Sequence, residues 1–310
     1  MGKALSILVV SYNTRELTLA CLGSVYAQTA GLDFEVILVD NASEDGSAAA
    51  IKGAFPQVTV IESAENLGFA RANNLAGRSA SGEYLLLLNS DTVVLDHAIN
   101  RILEFAEQHL DAGIVGGRTF FEDGSLNASS CHGRQTPWSL FCLGTGLAAV
   151  FRGSRWFDPE SLGAWQRDTV AEVDAVSGCF LLIRRELWDK LGGFDESFFM
   201  YGEDMDLCLR AWKSGTKCMI TPDARIIHHG GRSERVRSEK MLRLFQAKAQ
   251  LIRKHWPRRS AWFGIRMLGL WCFTRMAGTS ILVKVSGRYA ESRAQWAEIW
   301  RGRRRLYQSL

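Results

Sequence analysis

Tyr84-Leu85-Leu86-Leu87-Leu88-Asn89-Ser90-Asp91 runs without a break from apolar side chains into a polar, acidic end. An apolar run this short and continuous predicts a strand buried on both faces, as in a parallel sheet. Leu5–Tyr12, Phe34–Asn41 and Val58–Glu62 read the same way. Glu16–Gln28, Ser47–Phe55 and Gly68–Ala80, lying between them, have helix length and mixed polarity. Strand and helix alternate, so the first hundred residues predict βαβ units and an α/β fold. Further on, Asp96–His109 predicts a helix and Ile114–Gly117 a short strand. Thr119 to Arg167 is rich in Gly, Trp and Ser without a clean period, and is expected to form hairpins and loops around a binding cleft. Val173–Arg184 predicts a strand, Arg185–Leu191 a helix stopped by Gly192-Gly193, and Glu203–Ser214 another helix. Lys217–Ile227 is expected to be extended, ending at His228-His229, and Ser238–His255 to be a basic helix.

The chain has 310 residues, 47% hydrophobic and 23% charged, which suits an ordinary globular protein and excludes a disordered one. Seven cysteines without a C-x-x-C pair argue against a disulfide framework and a structural zinc site. The apolar run after Met1-Gly2-Lys3 has strand length and predicts a first strand, not an export signal. The net charge of +4 conceals an asymmetry. Residues 1–224 hold 17 Lys and Arg against 29 Asp and Glu, whereas residues 225–310 hold 20 against 4. An acidic domain followed by a strongly basic tail predicts an anionic partner for the tail, membrane lipid ahead of nucleic acid. Ala261–Val283 is rich in Trp, Phe, Leu and Ile, but Arg266 and Arg275 interrupt it, so it lacks the ~20 apolar residues of a membrane span. Interfacial insertion is the expectation for it, and a hydrophobic helical hairpin packed on the domain is the alternative.

A second acidic cluster, Glu203-Asp204-Met205-Asp206, follows Phe198-Phe199-Met200-Tyr201-Gly202. A carboxylate at the C-terminal end of a parallel strand lies where open α/β sheets bind ligands. One such cluster suits a metal or phosphate, and a second supplies a separate base. Together they point to metal-assisted group transfer from a nucleotide-linked donor. No glycine occurs from Leu5 to Cys21, which excludes the G-x-G-x-x-G turn of a nicotinamide or flavin enzyme. Ser11-Tyr12-Asn13 at the end of the first strand can instead hold a nucleobase and ribose. Asp40 offers an acceptor for a pyrimidine N3–H, although Asp40-Asn41-Ala42-Ser43 is also good turn chemistry. Asn66-Leu67-Gly68 opens a helix whose N-terminus favours phosphate, with Arg71 placed to bridge the diphosphate or base.

These segments, in order, resemble family 2 glycosyltransferases: Val9-Val10-Ser11-Tyr12-Asn13, Val39-Asp40-Asn41-Ala42-Ser43, Asn66-Leu67-Gly68-Phe69-Ala70-Arg71-Ala72-Asn73-Asn74 and Leu88-Asn89-Ser90-Asp91. Gly178-Cys179-Phe180-Leu181-Leu182-Ile183-Arg184-Arg185, Gly192-Gly193-Phe194-Asp195-Glu196 and Phe199-Met200-Tyr201-Gly202-Glu203-Asp204-Met205-Asp206-Leu207-Cys208 continue the match. The subgroup most similar is the rhamnosyltransferase-like enzymes of bacterial cell-surface glycan assembly, and the resemblance covers roughly Leu5 to Ser233.

The resemblance implies a GT-A domain over residues 1–235, followed by a basic helical region over 236–310. It implies inverting transfer of a sugar, rhamnose from a dTDP donor, to a lipid-linked or surface-glycan acceptor. The alternatives are a UDP-hexose or UDP-N-acetylhexosamine donor, or a non-catalytic nucleotide- or glycan-binding scaffold. Asn89-Ser90-Asp91 matches the family's D-x-D element with Asn in first place. Asn89 and Ser90 then face the donor, and Asp91 becomes the ligand of Mg²⁺ or Mn²⁺. Glu203-Asp204 matches the catalytic pair whose Asp is the general base. His228 matches the late histidine that completes the metal shell or contacts the diphosphate. Gly178 and Cys179 are expected to line the acceptor side, with Trp188 a candidate sugar platform. The implied place of work is the cytoplasmic face of the inner membrane, as a peripheral protein.

Overall fold

A computed structural model describes residues 3–230 and 237–306. In chain order the elements are β1 Leu5–Ser11, α1 Arg15–Gln28, β2 Phe34–Asp40, α2 Ser47–Ala54, β3 Thr59–Glu62, α3 Gly68–Ser79, β4 Tyr84–Asn89, β5 Thr92–Leu95, α4 Ala98–Gln108 and β6 Ala112–Phe120. There follow β7 Cys131–His132, α5 Pro137–Thr145, α6 Leu147–Val150, β8 Ala171–Glu172, β9 Ala175–Val176, β10 Phe180–Arg184, α7 Arg185–Leu191, α8 Glu203–Lys213 and β11 Lys217–His228. The last helices are α9 Arg237–His255, α10 Arg258–Val285 and α11 Ala290–Gly302. The chain divides into two compact units, the first comprising residues 1–132 and 166–233, the second 133–165 and 234–310.

The first unit is built on a sheet of order β3-β2-β1-β4-β10-β6-β11-β5. β1, β2, β3 and β4 are mutually parallel, β10 runs antiparallel between β4 and β6, and β11 pairs parallel with β6 and antiparallel with β5. Leu85, Leu86 and Leu87 are fully buried, as the uninterrupted run in β4 requires of a central strand. β3 is the exception among the predicted strands: it lies at the sheet edge with no residue buried. The predicted strand Val173–Arg184 is two short strands broken at Ser177-Gly178-Cys179. That break, and the crossing at Asn89–Thr92 from the central β4 to the edge strand β5, create the site.

The second unit corrects the expectation for residues 119–167. Residues 133–165 form α5, α6 and connecting turns that belong with the C-terminal helices rather than with the sheet. A capping box starts α5: the Thr136 hydroxyl accepts from Ser139 N at 3.0 Å and the Ser139 hydroxyl from Thr136 N at 2.9 Å, with Pro137 in the first turn. Leu140 then packs into a core with Phe245, Ile252, Ile265 and Leu268. Lys248 and Glu160 pair at 2.6 Å in the same unit. The segment Ala261–Val283 is one helix, not a hairpin, and its two halves differ. Ala261, Ile265, Leu268 and Cys272 are buried core, whereas no residue of α10 beyond Cys272 is buried. Packing therefore accounts for the first half only. No described helix is long and apolar enough to cross a membrane.

Candidate functional site

The two acidic clusters meet through the break between β9 and β10. Asn89 N donates to Cys179 O at 3.1 Å, which ties the end of β4 to this break. One residue earlier, Gly178 N donates to Asp204 Oδ2 at 3.1 Å. A Cβ on Gly178 would lie 3.0 Å from the Phe69 ring and 3.8 Å from Asp204 Cβ, so the backbone there passes close beneath both side chains. Residues about 110 positions apart in sequence thus share one surface.

On the β4 side, Asp91 and His228 face each other, Oδ1 to Nε2 at 3.3 Å, and Asn89 Nδ2 also lies 3.3 Å from that nitrogen. β11 delivers His228 by pairing it with Thr92 in β5. His229 N then donates to Asp91 O at 3.1 Å, which locks the register. Burial raises the cost of charge on both side chains, but each supplies the other's counter-charge. The Asp91 carboxyl is held below its usual range against burial by His228. Burial likewise opposes charge on His228, yet Cys179 and Asp91 outweigh it and push the imidazole up to about 10. Its Nδ1 is buried without a hydrogen-bond partner. One carboxylate and one imidazole make a half-shell that fits Mg²⁺ or Mn²⁺ when substrate phosphates supply the remaining oxygens. Among the described residues no group of three or more His, Cys, Asp and Glu side chains gathers for a metal, so those residues alone do not complete a shell.

On the other side, Tyr201 (φ 71°) and Gly202 (φ 86°) turn the chain sharply into α8, whose first residues are Glu203 and Asp204. The half-buried Asp204 carboxylate is held by Gly178 N. Glu203 is buried, and its Oε2 has no hydrogen-bond partner. Burial, reinforced by the charge of Asp204, pushes the Glu203 carboxyl up to about 8. Asp206 anchors the helix: Arg210 binds it at 2.7 Å and donates to Leu191 O and Gly193 O at 2.7 and 2.8 Å. This clamp was not singled out from sequence, although the i,i+4 spacing of Asp206 and Arg210 carries the signal.

At the ends of β1 and β2, Asp40 is buried. Its Oδ2 accepts from Ser43 N at 3.2 Å, while Oδ1 is buried without a partner. The turn reading and the base-binding reading thus use different oxygens of one side chain. Tyr12 is exposed, and Asn13 fastens β1 to the next loop by accepting from Glu44 N at 2.8 Å and donating to the Ser43 hydroxyl at 2.9 Å.

Several expected contacts are corrected. The Ser11 hydroxyl is fully buried, 2.9 Å from that of Thr18 and 3.3 Å from that of Thr14, which also reaches the buried Ser90 at 3.2 Å; this internal chain of hydroxyls braces β1 against β4. Both side chains are turned inward. The N-terminus of α3 does not offer its first N–H groups to a phosphate. Leu67 N donates to Asn41 Oδ1, Gly68 N to Asn66 Oδ1 and Phe69 N to Phe199 O, at 2.8, 2.9 and 2.8 Å. Arg71, by contrast, keeps half its side chain exposed beside Glu196, 3.8 Å away, and is left open to a donor diphosphate. Trp188 is 5% exposed and packs edge-on against Phe194 at 5.3 Å, so burial makes it a wedge and not a sugar platform.

Comparison with known proteins agrees with this geometry. Residues 6–192 match the model of glycosyl transferase family 2, and residues 166–247 match one described as the N-terminal domain of galactosyltransferase. The N-acetylglucosaminyl-diphospho-decaprenol L-rhamnosyltransferase of Mycobacterium tuberculosis is 32% identical over 213 residues, covering 64% of this chain and 67% of its own. The O-antigen biosynthesis protein RfbC of Myxococcus xanthus is 30% identical over 236 residues, 74% of this chain but 18% of that much longer protein. Among solved structures, the mannosyltransferase PcManGT of Pyrobaculum calidifontis, in complex with GDP-Man and Mn²⁺, aligns with a TM-score of 0.62 over 100% of this chain and 88% of its own, at 18% identity. That likeness carries the fold, which is GT-A. With a family model spanning well over half its length and both acidic clusters in one place, the chain belongs to glycosyltransferase family 2.

Proposed function

We propose that this glycosyltransferase moves rhamnose from a dTDP-linked donor to a lipid-diphosphate-linked sugar, with inversion at the anomeric carbon. The observation that carries the reading is the joining of Asp91–His228 to Asp204 through Gly178 and Cys179. Rhamnose and a lipid-linked acceptor are favoured by what the mycobacterial relative is named for. The free Oδ1 of Asp40 would accept the N3–H of a thymine or uracil base, with Tyr12 and Asn13 beside it. Asn89 would take a ribose hydroxyl. Asp91, and His228 once the cation displaces its proton, would hold Mg²⁺ or Mn²⁺, and the cation would offset the charge growing on the leaving nucleoside diphosphate.

Asp204 would take the proton of the acceptor hydroxyl while that oxygen bonds to the anomeric carbon and the bond to the diphosphate oxygen breaks. The base stands on the face opposite the leaving group, as inversion requires. Glu203 stays protonated beside it, which leaves one negative charge at the pair. Gly178 N holds the Asp204 carboxylate in place through the transfer. The acidic site and the basic second unit suit a peripheral protein at an anionic inner leaflet, on the cytoplasmic side where nucleotide sugars are made.

A panel of dTDP-rhamnose, UDP-glucose and UDP-N-acetylglucosamine, each with a polyprenyl-diphosphate-N-acetylglucosamine acceptor and Mg²⁺ or Mn²⁺, tests this. Metal-dependent release of dTDP with one deoxyhexose added to the lipid is expected. Transfer only from a UDP donor overturns the rhamnosyl reading, and failure of every donor overturns the catalytic one.

A further inference from the structure

The second unit holds 21 Lys and Arg against 6 Asp and Glu, so its surface is strongly cationic. Its apolar residues are not all used in its core. α5 and α10 run in the same direction. Leu140 meets Gly264 and Gly144 meets Met267, and the Thr274 hydroxyl donates to Gly144 O at 3.1 Å. α6 follows α5 directly, and Arg152 just beyond it lies within electrostatic reach of Arg275 on α10. α6 therefore starts beside the Thr274 turn of α10, with Val150 and Phe151 at its far end. Ile281 lies six residues past Arg275, about 9 Å further along the helix axis. Val150 is 75%, Ile281 64% and Val285 80% exposed.

Leaving these aliphatic side chains bare is costly for the unit in water unless something covers them. Its charges indicate what does. Arg152, Arg275 and Lys284 have no acidic partner among the described residues. Burial and the neighbouring Arg152 both raise the cost of charge on Arg275, and an anion beside the two would lower it. Aliphatic side chains with a cationic collar fit the acyl-headgroup boundary of an anionic bilayer, where the apolar tip enters and the cations meet phosphates. A second copy of the chain, bringing the same cations, would be repelled.

We propose that Val150–Phe151 and Ile281–Val285 form a two-pronged tip that inserts into the surface of an anionic membrane, with Arg152, Arg275 and Lys284 as its phosphate-facing collar. This rests on the anionic-membrane partner proposed above and names the part of the molecule that makes the contact. It also assigns α6 a role, and excludes the first half of α10, whose apolar residues are core.

The test is co-sedimentation of the full chain with vesicles of phosphatidylcholine alone or with phosphatidylglycerol, at low salt. The wild type should pellet with the anionic vesicles only. Ile281→Ser/Val285→Ser, both exposed and checked for fold by circular dichroism, should lower partition at least about tenfold. Arg152→Gln and Arg275→Gln should each lower it about fivefold. In parallel, all seven native cysteines are buried, so Val285→Cys offers one reactive thiol for an environment-sensitive dye. Its emission should rise and shift to the blue on adding anionic vesicles. Unchanged binding of the serine variant overturns the tip and leaves the membrane reading standing. No binding by the wild type overturns both. A dye response without lipid, together with a doubled molecular mass, replaces the membrane with a second copy of the chain.

Discussion

Replacing Glu203 by Gln separates the two members of the acidic pair. In the folded chain burial and the charge of Asp204 push the Glu203 carboxyl from 4.5 up to about 8, and its Oε2 meets no donor. Between those two values the folded state keeps a proton that the unfolded chain has released. The unfolded state then binds fewer protons, so stability falls as pH rises through this window. One group changes stability by at most about 1.4 kcal/mol per pH unit, so the loss between pH 6 and pH 8 is on the order of 2 kcal/mol. Glutamine has the shape of the protonated acid and never ionises, so the variant lacks this loss. Urea unfolding of the wild type and Glu203→Gln at several pH values between 6 and 8 measures it. The difference between the two proteins cancels every other titration and should move in favour of the variant by about 2 kcal/mol as pH rises. Transfer activity should also survive Glu203→Gln far better than loss of the base. Parallel stability curves over that range would refute a protonated Glu203 in the fold.

The alternation of strand and helix up to Asp91 was legible because each strand there is buried on both faces and reads as a continuous apolar run. β3 misled because an edge strand needs no such burial, and its Val and Ile imitate a core pattern. The break at Ser177-Gly178-Cys179 was invisible for the opposite reason. Apolar residues on both sides, Ala175-Val176 and Phe180-Leu181, are buried as in one strand, and only pairing partners distinguish one strand from two. Residues 133–165 failed most, since Leu140 and Gly144 find their partners more than a hundred positions later on α10 and no local period announces that. For the site, the acids and His228 were legible by type and flank. The state of each depends on burial and neighbours, so the neutral Glu203 and the charged His228 emerge only from packing. Trp188 illustrates the limit: an aromatic residue near a site reads equally as a platform or a wedge until its exposure is known.

Asp204→Asn should reduce transfer ~10²–10⁴-fold while nucleotide binding persists, since the amide cannot accept the acceptor's proton; more than half the wild-type rate removes the base assignment. Asp91→Ala should abolish the gain in nucleotide affinity that Mg²⁺ or Mn²⁺ gives the wild type, read by calorimetry with and without chelator; an unchanged gain would place the ion elsewhere. Trp188→Ala should cost about 3–5 kcal/mol of stability by opening a cavity beside Phe194, with the acceptor KM unchanged where the variant is folded; a raised KM at full stability restores the platform role. Gly68→Ala distinguishes a phosphate cradle from a loop anchor. Gly68 sits at φ +76°, and a Cβ there would lie 2.3 Å from Phe199 O, the oxygen that accepts Phe69 N at 2.8 Å. Alanine must therefore adopt a left-handed conformation and push back the Phe198–Gly202 loop, breaking that hydrogen bond, for about 1–3 kcal/mol in all. Because this loop leads directly into Glu203 and Asp204, the transfer rate should drop while nucleotide Kd holds. Stability within about 0.5 kcal/mol of wild type, with weakened nucleotide binding, would return Gly68 to the donor phosphates.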